Sequence, residues 1–412
     1  MTDTASAQPT NGRLALWCGW VLAALFIAAP PLAWLGSRGF STLMALAGLL
    51  TLPALRVRDE DRPAAIAILT LVVWAVGSSL WSPFILTKRL DNTPVKLLFE
   101  TVLYAAVISA ARAAAPASRL WALRLLAWGM ALLGLVLLVE GLSGAALYQA
   151  LRAAAHDPIR PDLGVRNAAR ALFVLALFTP SALVAARRVG GRWGLVLVGL
   201  PVLAGLILPS ITFSYDAPLV ALAASAITGF AVWAWPRWAP RLLAGVAATF
   251  FLAAPAVVWG VRQLGWYDPL AARVSLSWSQ RLGYWRHAQD WITDHPLRGW
   301  GLDASRMFSP GIHLHPHDAA LQIWLELGLI GAVAAAVLWA AVLSGMSRPR
   351  RDPAMAASAA TAFAYLTFDA FSFGVWQEWW LALGALACAA CAALQRQPAM
   401  AKDSKTRAPR TA

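Results

Sequence analysis

The sequence predicts an all-α fold: a polytopic transmembrane helical bundle of about twelve spans, with one long and partly helical loop on its outer side. Three observations carry that prediction. Runs of roughly twenty apolar residues recur along the chain, each long enough to cross a bilayer core of about 30 Å. Only 13% of the 412 residues are charged, against 59% hydrophobic, about half the charge of a soluble protein of this size. Finally, Lys and Arg collect in alternate connections, as the inner loops of a multi-pass protein require.

The apolar runs lie near 14–35, 40–56, 63–81, 94–114, 120–145, 167–186, 193–210, 217–235, 242–261, 319–344, 354–373 and 378–395. The first exceeds a signal-peptide core and lacks a small-x-small cleavage site, so it reads as an uncleaved span. With the N-terminus inside, the inner connections hold 56–62, then Arg112, Arg119 and Arg124, then 187–192, 237–241 and 348–351, and finally the tail from Arg396. Every one is basic, and an even span count returns the C-terminus to the same side. The chain thus divides into nine spans over 1–261, a loop domain over 262–318, spans ten to twelve over 319–396, and an inner tail over 397–412. Residues 1–12 and 397–412 have the polar composition of disordered tails.

The net charge of +14 does not point to nucleic acid, because the basic residues sit in short loops between spans. Cys18, Cys388 and Cys391 all fall in apolar runs, so they read as packing rather than redox chemistry. Three outer loops also carry cations. These are Lys88 and Arg89, then Arg152, Arg160 and Arg166, and in the long loop Arg262, Arg273, Arg281, Arg286, Arg298 and Arg306. Long loops translocate whatever their charge, but this surplus asks for an anionic ligand on the outer side.

The long loop holds Trp266, Trp278, Trp285, Trp291 and Trp300, which a solvated linker would avoid. Within it 277–292 reads as an amphipathic helix, with Leu282, Trp285, Ala288 and Ile292 recurring at steps of three and four. It is expected to lie along the membrane with its Trp face down. The Asp294-His-Pro triplet stops it, Gly299-Trp-Gly301 makes a turn, and an extended piece reaches His313.

All six histidines fall on the outer side: His156, His287, His295, His313, His315 and His317. If the segment before Asp318 is extended, His313, His315 and His317 share one face. That spacing admits a metal site, but no thiolate is near, and Asp318 and Asp303 are the only close carboxylates. A second reading makes these residues a cap for the next span, with Asp318 as N-cap of a helix starting at Ala319. A third, favoured here, makes His317 a general base, because it lies closest to the membrane. Arg166 and Arg170 are four apart at the outer start of the sixth span and share a face, with Asn167 between them and Arg160 six residues before. Such a cluster either snorkels to lipid headgroups or grips a diphosphate, whose oxygens match planar guanidinium forks. Arg281 has no acid three or four residues away, whereas Arg286 can pair with Asp290. That makes Arg281 the better candidate for a ligand contact. Glu140 and Asp369, near outer ends of apolar runs, read as structural partners.

These residues resemble the O-antigen ligase and polymerase superfamily. The carrying motif is a loop-ending His, a polar residue, nine positions and Gly-x-x-Gly: here His317-Asp318, 319–327, then Gly328-Leu-Ile-Gly331. The residue after His is usually Asn, Ser or Gln and here is Asp318. The run Arg281…Trp285, His295-Pro296, Gly299-Trp-Gly301 is similar to the same family's, as is, more loosely, Arg160…Gly164…Asn167…Ala169. The resemblance implies a GT-C-like bundle in the bacterial inner membrane, with the long loop periplasmic and both termini cytoplasmic. It implies a glycosyltransferase that needs no cofactor and no metal. The donor would be an undecaprenyl-diphosphate-linked polysaccharide and the acceptor a lipid A–core oligosaccharide, transferred with inversion. In that reading His317, Arg281 and Arg166 are catalytic. Arg160, Arg170, Asn167, Arg286, His315 and His313 bind substrate. Membrane lipids are the only other partners, and nucleic acid is not one. A polymerase, a protein-glycosylating ligase and a lipid-linked glycan transporter are the competing readings. The last is disfavoured because polar residues cluster at one surface and no inverted repeat is visible.

Overall fold

A computed structural model describes residues 12–87 and 92–395. Lys88, Arg89 and both polar tails lie outside the described residues. The fold is all-helical. The helices are α1 (Gly12–Leu35), α2 (Gly39–Thr51), α3 (Arg62–Ser78), α4 (Pro83–Thr87), α5 (Thr93–Ala113), α6 (Pro116–Ser143), α7 (Ala146–Ala154), α8 (Pro161–Thr212), α9 (Asp216–Ala234), α10 (Ala239–Gln263), α11 (Tyr267–Arg273), α12 (Leu276–Asp294), α13 (Ala319–Ser344), α14 (Pro353–Phe371) and α15 (Glu378–Leu394). Eight are long and apolar enough to cross a bilayer: α3 (with the short turn preceding it), α1, α5, α6, α8, α9, α10 and α13. The 52-residue α8 is two helices joined at Gly191, whose backbone turns left-handed.

Counting α8 twice and setting aside the short α4, α7, α11 and the loop helix α12, twelve helical segments match the expected spans one for one. Their end contacts sort into two rims, as alternation across a membrane demands. At one rim Trp34 Nε1 donates to Glu140 (2.7 Å), Lys96 Nζ pairs with Glu378 (2.6 Å), and Ser82 Oγ donates to the Leu302 carbonyl (2.5 Å). At the other Arg112 pairs with Asp61, Arg188 donates to the Leu394 carbonyl, and the Arg348 N–H donates to Pro236 (2.9 Å). The second rim carries the basic connections. Arg38, between α1 and α2, falls on the first, an exception that the alternation of Lys and Arg passes over.

Two apolar cores hold the bundle. One gathers Phe26, Phe40, Phe178, Phe368 and Trp380 from α1, α2, α8, α14 and α15. The other joins Phe251 of α10 and Leu325 of α13 to Ala288, Ile292, Leu302, Phe308 and Ile312 of the long loop. The loop is therefore docked, and this corrects one expectation. The apolar face of α12 packs on α10 and α13 rather than on lipid: Ala288 and Ile292 are buried against protein.

The docking is set by a break in α13. Gly328 leaves the helix (φ 66°, ψ −161°), and the turn at Gly299-Trp-Gly301 fills the gap. Trp300 N–H donates to Leu325 O (2.9 Å), Gly301 N–H to Glu326 O (2.7 Å), and Leu329 N–H to Pro296 O (2.8 Å). Non-helical backbone at membrane depth is tolerated only where protein satisfies its polar groups, and these bonds do so. A Cβ on Gly299 would lie 2.3 Å from the Glu326 carbonyl carbon, and one on Gly328 would lie 2.4 Å from Leu297. Backbone meets backbone there, so only glycine fits. Helix α3 closes the far side: Leu302 N–H donates to Ser78 Oγ (3.0 Å) and Trp74 Nε1 to Leu327 O (2.9 Å).

Candidate active site

The segment before α13 is not the extended strand expected. It bends repeatedly, with left-handed backbone at Leu314 (φ 66°) and His317 (φ 56°), and the His315 N–H donates to His313 O (2.8 Å). The imidazoles nevertheless converge. His315 and His317 rings lie 4.2 Å apart, and Tyr284 of α12 stacks on His317 (6.1 Å, 20°) and meets His313 edge-on (6.0 Å). Among the described residues no three His, Cys, Asp or Glu side chains form a group that could hold a metal ion.

His317 is oriented by a carbonyl. Its Nδ1 sits 2.9 Å from Ser372 O, in the short connection between α14 and α15. A carbonyl only accepts, so Nδ1 carries the proton and Nε2 keeps its lone pair. Burial pushes the His317 pKa below its ordinary 6.5; the Ser372 bond opposes this and Arg281 adds to it. The ring is thus neutral at neutral pH. His315 is buried deeper and is pushed to about 3, by burial first, then by competition with the neighbouring His317 for a proton and by the charges of Arg306 and Arg281. Its Nδ1 accepts the His317 backbone N–H (3.2 Å), and its Nε2 meets the Gln377 amide (3.3 Å). Both of its ring nitrogens thus have a polar neighbour within 3.3 Å. Asp318 caps α13 as expected, accepting from Leu321 N–H (2.9 Å), and burial raises its pKa to about 7.

Arg281 stands beside this pair, close enough for its charge to lower both histidines. Nη1 donates to Ser277 Oγ (2.8 Å), the guanidinium lies 5.1 Å from the Trp278 ring centre, and Nε is buried with no partner. Burial lowers its own pKa. No carboxylate pairs with it among the described residues. The expected Arg286–Asp290 pair does not form: Asp290 is taken by Arg262 of α10, leaving Arg286 exposed. The Arg286 charge instead reaches the buried Tyr267, whose hydroxyl burial raises to about 12 against the pull of Arg286 and Arg262.

The arginines of α8 stand in a different setting from the one the sequence suggested. The helix begins at Pro161, not near 167, so Arg166, Asn167 and Arg170 lie in its second and third turns and Arg160 takes the N-cap position. Arg160 pairs with Asp162 (2.9 Å), and Arg170 donates to Asn167 (3.2 Å). Arg166 is exposed and pairs with no acid among the described residues. The link to His317 runs through three consecutive residues. Phe371 touches Trp278 and Trp285 of α12, Ser372 holds His317, and Phe373 packs on Phe173, three residues past Arg170. Both arginine groups and the imidazole therefore share one rim, around the α14–α15 connection.

Sequence reasoning missed several supports. Tyr284 and Gln377 carried no signal. Glu326 did, as a carboxylate inside an apolar segment. It is fully buried and accepts from Trp376 Nε1 (2.5 Å), Gln322 Nε2 (3.1 Å) and the Asp303 N–H (3.0 Å). Glu140 and Asp369 are structural: Glu140 accepts from Trp34 and the Tyr148 N–H, and Asp369 from Trp380 Nε1 (2.6 Å).

The fold and the site define a class: a multi-pass helical membrane protein with a neutral imidazole and several guanidinium groups on one rim. Residues 211–336 match the family model described as O-Antigen ligase. Over about the same length the chain is 30% identical to a protein of Rickettsia conorii named "putative polysaccharide ligase", covering 26% of this chain and 29% of that one. Proteins of the same description from Rickettsia felis (29% identical, 26% and 30% covered) and Rickettsia bellii (31%, 25% and 29%) match similarly. Over this segment the chain is similar to the O-antigen ligase superfamily. The match spans less than a third of these relatives' length. It includes Arg281, the Gly299–Gly301 turn and His317 to Gly331, and excludes the arginines of α8.

Proposed function

We propose that the protein is an inverting, metal-independent glycosyltransferase of the periplasmic leaflet. It moves O-antigen polysaccharide from undecaprenyl diphosphate to lipid A–core oligosaccharide. The observation that carries this reading is the tautomer of His317. With Nδ1 donating to Ser372 O, Nε2 keeps a lone pair able to take a proton, and Arg281 lies close enough to act on the same ring.

In the proposed reaction an acceptor hydroxyl attacks the anomeric carbon of the donor. The new C–O bond forms as the bond to the diphosphate oxygen breaks, and the diphosphate leaves with the electron pair. Nε2 of His317 takes the hydroxyl proton as the attack proceeds. Arg281 and Arg166 stabilise the charge growing on the diphosphate, with Arg160, Arg170, Asn167 and Arg286 along its approach. A diphosphate is a weak base, so no acid needs to protonate it. His315 and His313 shape the site around His317. The basic connections on the opposite rim then face the cytoplasm, with both termini.

The test is transfer in proteoliposomes carrying lipid-linked polysaccharide and purified acceptor. His317→Ala should insert normally and lose about 10²- to 10⁴-fold in rate, the span of general-base contributions. Transfer at the wild-type rate by that variant would refute the assignment. Elongation of lipid-linked repeats by the wild-type protein, without transfer to lipid A–core, would favour a polymerase.

A further inference from the structure

A cavity of about 570 Å³ opens on the loop domain away from His317, walled by His287, Trp291, Trp300, Met307, Phe308 and Pro83. The reaction proposed above does not use it. We propose that this cavity is a carbohydrate subsite that seats the terminal sugars of the acceptor oligosaccharide. The inference rests on the transferase reading for the word acceptor, but not for the binding of sugar.

The walls are built for flat, C–H-rich faces. Trp291 stacks on Phe308 with ring centres 4.4 Å apart, and Trp300 meets both edge-on at 5.4 and 5.5 Å. Trp300 is anchored in this wall: its Nε1 donates to Trp291 O (2.8 Å). Trp291 is nevertheless 36% exposed and Met307 43%. Aromatic faces are electron-rich and attract the polarised C–H bonds of a pyranose ring. A binding cavity also needs a few polar groups to fix orientation. His287 supplies them. Its ring packs on Gly311, where a Cβ would come within 3.1 Å, and among the described residues its nitrogens make no hydrogen bond to the protein.

Position identifies the occupant. Arg281, Tyr284, His287 and Trp291 follow one another along α12 at steps of three, three and four, so they form a stripe on one side of a rigid rod. Arg281 stands at one end with the cationic groups. Tyr284 stacks on His317 in the middle, and the cavity lies at the other end, about 10 Å from Tyr284 by helical rise. Direct displacement requires the attacking hydroxyl and the departing diphosphate to be on opposite faces of the anomeric carbon. A diphosphate held at the arginine end therefore puts the acceptor at the aromatic end, with the base between them.

The experiment is saturation-transfer NMR on the purified protein in nanodiscs. The probe is delipidated core oligosaccharide released by mild acid from rough lipopolysaccharide. Signal should appear on the sugar C–H protons with the wild type and equally with His317→Ala. It should weaken about tenfold in affinity with Trp291→Leu and persist with Trp291→Phe, which keeps a ring in the wall. In transfer assays Trp291→Leu should raise the acceptor KM about tenfold and leave the donor KM unchanged. Absence of signal with the wild type, or undiminished binding by Trp291→Leu, would overturn the proposal. So would Trp291-dependent binding of delipidated donor polysaccharide in place of the core. Loss of transfer by the wild type, with sugar binding intact, would instead count against the transferase reading alone.

Discussion

Substituting Gly299 by Ala tests whether the interlock at the α13 break positions the site. The added Cβ would lie 2.3 Å from the Glu326 carbonyl carbon and oxygen and 2.5 Å from Leu327 N. Ordinary contact begins near 3.4 Å, so the turn and the helix must separate by about 1 Å. The backbone at Gly299 is also left-handed (φ 69°), which costs an alanine roughly 1–2 kcal/mol. Neither partner can yield alone, since both contacting groups are main chain. The first turns of α13 are a rigid rod from the Asp318 cap to the break, so a push at Glu326 travels to His317. A misplacement of about 1 Å costs on the order of 10²-fold in rate when reacting groups are held in register. The expected result is a hundredfold loss of transfer by protein that still inserts and purifies as a single species. Hydrogen exchange at the Trp300 and Gly301 amides, which donate to Leu325 and Glu326, should accelerate in the same variant. Gly283→Ala is the control, because no atom lies within 4 Å of its Cβ and its helix gains from the change. Wild-type transfer and unchanged exchange in Gly299→Ala would refute the reasoning.

The remaining predictions concern charge. Arg281→Lys should lose at least tenfold in transfer rate, because an ammonium cannot span two oxygens as the fork does; single-turnover rates with saturating donor check it, and full activity would exclude a bidentate role. The acid limb of log kcat/KM should fall below pH 6.5. The base works when neutral, and burial lowers the His317 pKa below that ordinary value, so activity survives to lower pH than a free imidazole allows. A limb at or above 6.5 would contradict a buried His317 as the titrating group.

Much of the fold was legible because a bilayer leaves few choices: each crossing needs a long apolar run, and each inner turn keeps its Lys and Arg. The Asp318 cap and the Gly299-Trp-Gly301 turn were legible for a local reason, since capping and tight turns are decided within a few residues. The Arg286–Asp290 pair failed because helical spacing says who is able to meet, not who competes; Arg262 from another helix reached Asp290 first. The start of α8 was misplaced because 161–166 is polar in sequence yet helical, and hydropathy marks where a span is apolar rather than where its helix begins. The face of α12 was assigned to lipid because an apolar stripe does not say whether lipid or protein will cover it. Ser372 was invisible for the plainest reason: it acts through its carbonyl, which every residue has.

The broken span explains why the chemistry sits where it does. A carboxylate in an apolar segment costs roughly 2.5–3.5 kcal/mol at mid-membrane depth, yet Glu326 is held by three donors, one of them the Asp303 N–H of the loop. That cost is felt in full only if the loop undocks, because its departure strips a donor from the buried Glu326 carboxyl group and uncovers the carbonyls around Gly328. Docking of the loop and closure of the helix break are therefore one event. Trp376, which also donates to Glu326, lies four residues beyond Ser372, and Gln322 reaches the Val375 N–H (3.0 Å). The α14–α15 connection that orients His317 is thus tied to the same carboxylate as the loop that brings Arg281. Removing that carboxylate should loosen base and cation together, which no local substitution at either would do.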